Sequence, residues 1–400
     1  MASIKMINTN KVKDDEQRKA LKSWSTNDYI GSIIAGTGFG KSRCGVVAVA
    51  KTLELLGNSR GLVLVPTTQL QDQFKNEFAK WGYAEILKRV DILCYQSAYK
   101  LQDQHYGIVV CDEIHLGLSP KYRKFFKNNT YDRLLCMTAT LPEDPDYRVI
   151  LQALAPTIYT ITLDECVKLG LVAPYEIHCI PVPLTPEEED EYKKINNSFV
   201  YWKYQLGQFD AFNEAQRIIK DKNASGADKQ AAAQFYRAIR ARKGIVDHAQ
   251  LKISGVQFVV DEALTKDYST KILVFSGSNG FTDLLAEATA PMSAVYHSGK
   301  TKKQKEAALD NFKNGDISVL CSTKALNQGF DVADADFGII CGLTSKSLSM
   351  IQRVGRLLRF KDGKKSTIVI FYVPNSQEEK WLKTAVKSLD NVVWETMNYE

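Results

Sequence analysis

At 400 residues, 44% hydrophobic and 24% charged, the chain carries enough apolar material for two domains with cores of their own, and it falls outside the disordered, collagen-like and disulfide-stapled classes. The net charge of +6 suits a polyanionic partner and equally suits many cytosolic enzymes, so charge selects no function. No apolar run is long enough to cross a bilayer and Met1 to Arg18 lacks a signal-peptide core, so the expectation is a cytoplasmic protein with no membrane contact.

The first half alternates apolar runs with polar, helix-like stretches. The runs are Ile30–Ala35, Gly61–Val65, Val90–Cys94, Ile108–Cys111 and Leu134–Met137. That alternation predicts a parallel sheet covered on both faces. After the first run comes a turn with Gly36, Gly38 and Gly40, then a mostly apolar, helix-forming stretch from Cys44 to Leu56. Strand, glycine turn and helix is the context a phosphate-binding loop requires. Glycines let backbone N–H groups approach phosphate oxygens, and the helix N-terminus adds positive potential. Lys41 would hold the β- and γ-phosphates of ATP, and the Ser42 hydroxyl would ligate Mg²⁺. The alternative is an ordinary glycine-rich turn, which by itself would need none of the later motifs.

The run ending at Cys111 leads into Asp112-Glu113-Ile114-His115. Asp112 at a strand end would hold Mg²⁺ through water, and Glu113 would orient or deprotonate the attacking water. An acidic pair alone also suits a helix N-terminus. Alone, His115 reads as a surface or packing residue.

Closely spaced prolines mark a linker around 170–186, and Glu187 to Gly244 reads as two or three helices with a turn at Asn223-Ala-Ser-Gly226. Tyr192, Phe199, Tyr201, Trp202 and Tyr204 read as packing for a small helical subdomain ahead of stacking on bases. Arg237, Arg240, Arg242 and Lys243 fit a nucleic-acid channel and a solvated helix face equally well. The second half repeats the alternation with Ile272–Phe275, Ala294–Tyr296, Ile317–Cys321, Phe337–Cys341 and Ser366–Tyr372, and a closing helix is expected from Gln377. Domain boundaries follow at 1–170, 171–250 (linker and helical insert) and 251–400. Gln352-Arg-Val-Gly-Arg356-Leu-Leu-Arg359 is a basic stretch whose Arg356 and Arg359, taken alone, would also suit a surface salt-bridge pair. The eight cysteines include no C-x-x-C pair; Cys94, Cys111, Cys136, Cys321 and Cys341 read as small buried hydrophobes, without zinc or a disulfide framework.

These motifs, in this order, resemble the superfamily 2 helicases over nearly the whole chain. Ala35 stands where the generic loop has its first glycine, and A-x-x-G-x-G-K-[ST] is a form common in helicases. The resemblance implies two tandem RecA-like parallel-sheet α/β domains joined by a helical connector. It implies that Gln17 reads the adenine edge and that Gly36, Thr37, Gly38, Gly40, Lys41, Ser42, Gly329 and Asp331 contact the nucleotide. Pro66, Thr67, Gln96, Ser97, Ser276, Ser278, Ser322 and Thr323 would contact the nucleic-acid backbone. His115, Thr138 and Thr140 would couple nucleotide state to strand movement. Lys41, Asp112, Glu113, Gln352, Arg356 and Arg359 would carry hydrolysis, with Arg356 and Arg359 as arginine fingers from the second domain.

Gly170-Leu-Val-Ala-Pro174-Tyr, Ile180 to Glu189 and Leu348 to Arg359 resemble XPB-like and phage UvsW-like DNA helicases. DEAD-box RNA helicases usually have His where Gln352 stands and Asp where His115 stands. The implied function is ATP- and Mg²⁺-dependent movement on nucleic acid, DNA favoured over RNA, by a monomer in the cytoplasm, on the nucleoid, or in a host cell if phage-encoded. Protein partners would be those of a replication or recombination complex. An RNA-dependent ATPase and a non-unwinding motor subunit of a larger assembly are the alternatives.

Overall fold

The computed structural model describes residues 9–396, apart from 37, 140, 143, 173, 208–209, 324–334, 336, 345–365 and 388. The chain divides into two compact units; residues 9–175 fall in the first, and residues 176–323, 337–344 and 367–396 in the second.

The first unit is built on a six-stranded sheet. In order across the sheet the strands are Val90–Cys94, Gly61–Val65, Ile108–Asp112, Leu134–Thr138, Ile30–Ala35 and Thr157–Ile161, paired in parallel throughout. The four inner strands read as continuous apolar runs because helices cover both faces, leaving almost no exposed position along them. The register sets Asp112 against Met137 and Ile34 against Thr138, so three neighbouring strands end together at the carboxyl edge. Ligands of open α/β sheets bind at that edge. Helix Lys41–Leu55 lies close on the sheet at Gly45, where an added Cβ would sit 3.0 Å from Met137 Cε and 3.1 Å from Val110 Cγ1. Its larger neighbours Val46 and Val49 are fully buried. Strand Thr157–Ile161 has no continuous apolar pattern, in keeping with its place at the edge.

The second unit carries a seven-stranded sheet in the order Ser293–Tyr296, Val319–Ser322, Ile272–Phe275, Phe337–Ile340, Ser366–Tyr372, Tyr175–Pro181 and Val392–Trp394. Part of the stretch read as linker is thus a strand. Its side chains alternate between buried and half-buried, and Pro181 ends it rather than interrupting it. Helix Gln377–Val386 appears where a closing helix is expected, and the short strand Val392–Trp394 after it carries no advance signal.

The insert is a three-helix assembly, Pro186–Gln205, Ala211–Lys220 and Gly226–Asp247. The first starts with a capping box, Thr185 with Glu188, with Pro186 in its first turn. Phe235 stacks on Phe199 at 5.5 Å in a core that also takes in Trp202. Tyr201 and Tyr204 remain exposed. Arg242 is held by Tyr192 Oη at 3.2 Å and Gln377 Oε1 at 3.1 Å, whereas Arg237 and Arg240 are solvated. All eight cysteines are free and buried. Among the described residues no helix is long and apolar enough to cross a membrane.

The least expected core feature is an ion pair. Lys252 and Glu378 are both fully buried. The Lys252 Nζ donates to both Glu378 oxygens, at 3.0 and 2.9 Å, and to the carbonyls of Val246 and Cys341, each at 2.9 Å. Glu378 also accepts from the Leu343 and Val373 N–H groups. Burial still pushes its carboxyl above the ordinary range, against the pull of Lys252. Lys252→Met, which strands this carboxylate, is expected to lower the unfolding free energy of this unit by about 3 kcal/mol or more. Adding Glu378→Leu should restore most of it. Urea denaturation of the single and double variants measures this; a single variant as stable as wild type would refute a structural role for the pair.

Candidate nucleotide site

Gly36 to Gly40 form a turn whose glycines answer to steric demand. Gly38 and Gly40 have φ of 92° and 90°. A Cβ on Gly40 would lie 2.4 Å from Gln17 Nε2, and one on Gly36 would lie 3.1 Å from Leu163 Cα. Lys41 opens the following helix, and its Nζ donates to Ala35 O at 2.7 Å. Gln17 comes from helix Thr9–Thr26 and is buried beside the turn, donating to Phe39 O at 2.7 Å and more weakly to Gly40 O at 3.4 Å.

Several neighbours of Gln17 have no signal in the sequence. Arg43 Nη1 donates to Gln17 Oε1 at 2.9 Å, pairs with Asp14, and stacks 4.2 Å from the Trp81 ring centre. Lys13, one helical turn before Gln17, approaches the would-be Cβ of Gly40 at 3.1 Å, and burial pushes its ammonium below the usual lysine range.

At the next strand end, Asp112 is buried and its carbonyl accepts from Tyr95 Oη at 2.8 Å. Glu113 has φ 47°, a left-handed conformation that non-glycine residues seldom adopt and that marks local strain. Its Oε2 accepts from Thr138 Oγ1 at 3.0 Å and lies 3.3 Å from His115 Nδ1, which is itself 3.3 Å from Thr138 Oγ1. The triangle joins the acidic pair to the end of strand Leu134–Thr138.

The two carboxyls titrate apart. Burial, and then the charge of Glu113, push Asp112 up to about 7. Burial acts on Glu113 the same way, but the hydrogen bond with His115, the Lys41 charge and the Thr138 hydroxyl outweigh it and hold the carboxyl low. No cluster of three or more His, Cys, Asp or Glu side chains among the described residues could hold a metal by itself. A buried carboxyl whose ionised form the Lys41 charge compensates only in part nevertheless fits a divalent cation that completes its shell with oxygen from elsewhere.

The remaining expected contacts divide. Pro66 is buried and Thr67 half-buried at the start of helix Thr68–Lys80. Gln96 and Ser97 are exposed, on a one-turn helix, Tyr95–Ala98. In the second unit Ser276 is buried and bonded to Ser278 O at 2.9 Å and Thr282 Oγ1 at 2.6 Å. Ser278 caps helix Asn279–Ala288 and meets His248 Nε2 at 2.6 Å. Ser322 and Thr323 are buried, and Thr323 Oγ1 donates to Asn279 Oδ1 at 3.2 Å. Thr37, Thr140, Gly329, Asp331, Gln352, Arg356 and Arg359 lie outside the described residues.

Residues 10–143 match the family model described as type III restriction enzyme, res subunit, and residues 255–361 match the helicase conserved C-terminal domain. The DNA 3'-5' translocase XPB2 of Sulfurisphaera tokodaii is 25% identical over 366 residues, covering 87% of this chain and 79% of that protein. Together these matches support a superfamily 2 helicase. Within that superfamily it resembles the XPB-like group. The DNA 3'-5' helicase XPB of Mycobacterium tuberculosis is 24% identical over 87% of the chain, and the putative DNA 3'-5' helicase Rad25 of Haloarcula marismortui is 24% identical over 91%. The chain spans 58% and 53% of the length of these two relatives. Among solved structures the Hef helicase domain of Pyrococcus furiosus aligns with TM-score 0.58 at 14% identity, covering 95% of this chain and all of that one. Saccharomyces cerevisiae Dbp5 bound to RNA and ADP BeF3 aligns with TM-score 0.56 at 13% identity, covering 96% and 89%. At such identities the likeness is one of fold: two parallel-sheet α/β domains of the RecA-like helicase type.

The Asp112 environment predicts a pH signature. Its folded value, about 7, lies above the ordinary 3.8, so the ionised carboxylate destabilises the fold. That penalty is absent below about pH 4 and fully present above about pH 7. Asp112→Asn should therefore raise the thermal midpoint by a few degrees at about pH 8 without divalent metal, and leave it unchanged at about pH 4. An equal midpoint at both pH values would refute the burial argument.

Proposed function

We propose that this superfamily 2 chain is an ATP-driven motor on nucleic acid, with DNA the favoured track. The observation that carries the reading is that the phosphate loop and the Asp112-Glu113 pair follow strands at the same carboxyl edge of one sheet, separated only by strand Leu134–Thr138. The relatives are named as DNA helicases and translocases, which favours DNA over RNA.

In this reading Lys41 leaves Ala35 O for the β- and γ-phosphates. Turn N–H groups and the helix N-terminus bind the phosphate oxygens. Mg²⁺, when bound, neutralises phosphate charge, and Ser42 and Asp112 are the residues that would hold it. Glu113, kept ionised by His115, Lys41 and Thr138, takes the proton of the attacking water. Thr138 and His115 touch this base directly, so they are suited to transmit its state to the strand end. Gln352, Arg356 and Arg359 are assigned to the γ-phosphate by motif alone. Nucleic-acid contacts are assigned to backbone phosphates, which makes binding salt-dependent and nearly blind to sequence. A monomer, a site of action in the cytoplasm or on the nucleoid, and partners in a replication or recombination complex complete the proposal.

Lys41→Ala should abolish most turnover. Glu113→Gln should keep ATP binding and slow hydrolysis by roughly 10²–10⁴-fold. Arg356→Ala and Arg359→Ala should each cut stimulated turnover by up to about 10³-fold, with ATP and DNA binding retained. The deciding assay is phosphate release with single-stranded DNA, branched DNA or RNA present. Wild-type turnover in Glu113→Gln would refute the base assignment, and stimulation by RNA alone would replace DNA as the track.

A further inference from the structure

The side-chain amide of Gln17 is held from both ends. Its Oε1 accepts from Arg43 Nη1 at 2.9 Å and its Nε2 donates to Phe39 O at 2.7 Å. A guanidinium has no acceptor and a carbonyl has no donor, so exchanging amide oxygen and nitrogen would break both bonds. One bond would let the amide pivot; two at opposite ends fix its plane.

Arg43 is itself immobilised. It pairs with the Asp14 carboxylate and lies 4.2 Å from the Trp81 ring centre, and the Trp81 Nε1 donates to Glu77 Oε2 at 2.7 Å. Asp14 and Gln17 belong to helix Thr9–Thr26, Arg43 to helix Lys41–Leu55, and Trp81 directly follows helix Thr68–Lys80. Three helices therefore converge on the orientation of one amide.

We propose that Arg43 is a base-selecting positioning residue: it fixes Gln17 with its oxygen as acceptor and its N–H as donor, the order that selects adenine over guanine. The inference rests on the nucleotide-site reading above and adds the means of discrimination. Adenine offers an N6–H donor beside the N7 acceptor, whereas guanine offers two acceptors, O6 and N7. After the bond from Arg43, Oε1 keeps a lone pair for N6–H. After the bond to Phe39, Nε2 keeps a hydrogen whose other contact, Gly40 O at 3.4 Å, is weak enough to be exchanged for N7. Guanine would set O6 against Oε1, acceptor against acceptor.

Titration calorimetry of the full chain with ADP, GDP and inorganic pyrophosphate tests this. Wild type should prefer ADP to GDP. Arg43→Met, which keeps apolar contact with Trp81 and loses the donor, should reduce that preference roughly tenfold. Pyrophosphate affinity, which depends on the loop and Lys41, should stay at the wild-type value. Arg43→Lys, which keeps a donor, should retain most of the preference. Gln17→Glu keeps an acceptor for Arg43 and loses the N7 donor; it should show the same loss and serves if Arg43→Met fails to fold. An undiminished preference in Arg43→Met or Gln17→Glu would overturn the proposal. So would a common fall in affinity for all three ligands in Arg43→Met, the mark of a purely structural clamp. A wild-type chain that binds pyrophosphate but does not distinguish ADP from GDP would overturn base selection alone. One that binds neither ADP nor pyrophosphate would overturn the nucleotide site itself.

Discussion

Parallel pairing of three strands is the constraint on which the site depends. Ile30–Ala35, Leu134–Thr138 and Ile108–Asp112 lie side by side with a fixed register. A slip of one residue would turn every side chain of a strand to the opposite face. Because inner strands are covered on both faces, tight packing holds the register. Gly45, close against Val110 and Met137, keeps the helix behind the phosphate loop near the strand that ends in Asp112. The phosphate loop, the acidic pair and Thr138 therefore need no common stretch of sequence to become neighbours.

Around that edge, chemistry is set by what each charge lacks or owns. The Lys41 charge acts on both carboxyls, but Asp112 is buried without a side-chain donor and resists ionisation, whereas Glu113 also has His115 and Thr138 and stays ionised. Two adjacent carboxyls thus acquire opposite shifts through their surroundings. The left-handed backbone at Glu113 belongs to the same economy of strain, since that conformation turns the carboxylate toward His115 and Thr138.

The second unit uses a buried ion pair where the first uses apolar packing. Lys252 and Glu378 tie together the chain around Val246, Cys341, Leu343 and Val373. Close by, a Cβ on Gly342 would lie 2.4 Å from Gly277 N, and one on Gly277 would lie 2.7 Å from Asp247 Oδ2. Strand ends and insert helix therefore meet without room for side chains. The serines expected to touch nucleic acid, Ser276 and Ser322, are spent inside this packing.

Local order was legible from the residues alone. Glycine spacing, a lysine-serine pair and apolar runs of strand length are constraints that each segment imposes on itself, so the inner strands, the glycine turn and the helix after it could be read directly. The family resemblance added Gln17 and the arginine motif. Strands Thr157–Ile161 and Val392–Trp394 could not be read, because an edge strand is covered less completely and its composition resembles a loop; Tyr175–Pro181 lies inside its sheet, but the prolines that flank and end it read as a linker. Nor could Arg43 be singled out: its bond to Gln17 spans 26 residues of chain, and Trp81 and Asp14 reach it from other helices. Motif order nominates the residues for the chemistry. Only tertiary packing decides how each is oriented and charged, because hydrogen bonds and burial depend on groups that are distant in sequence.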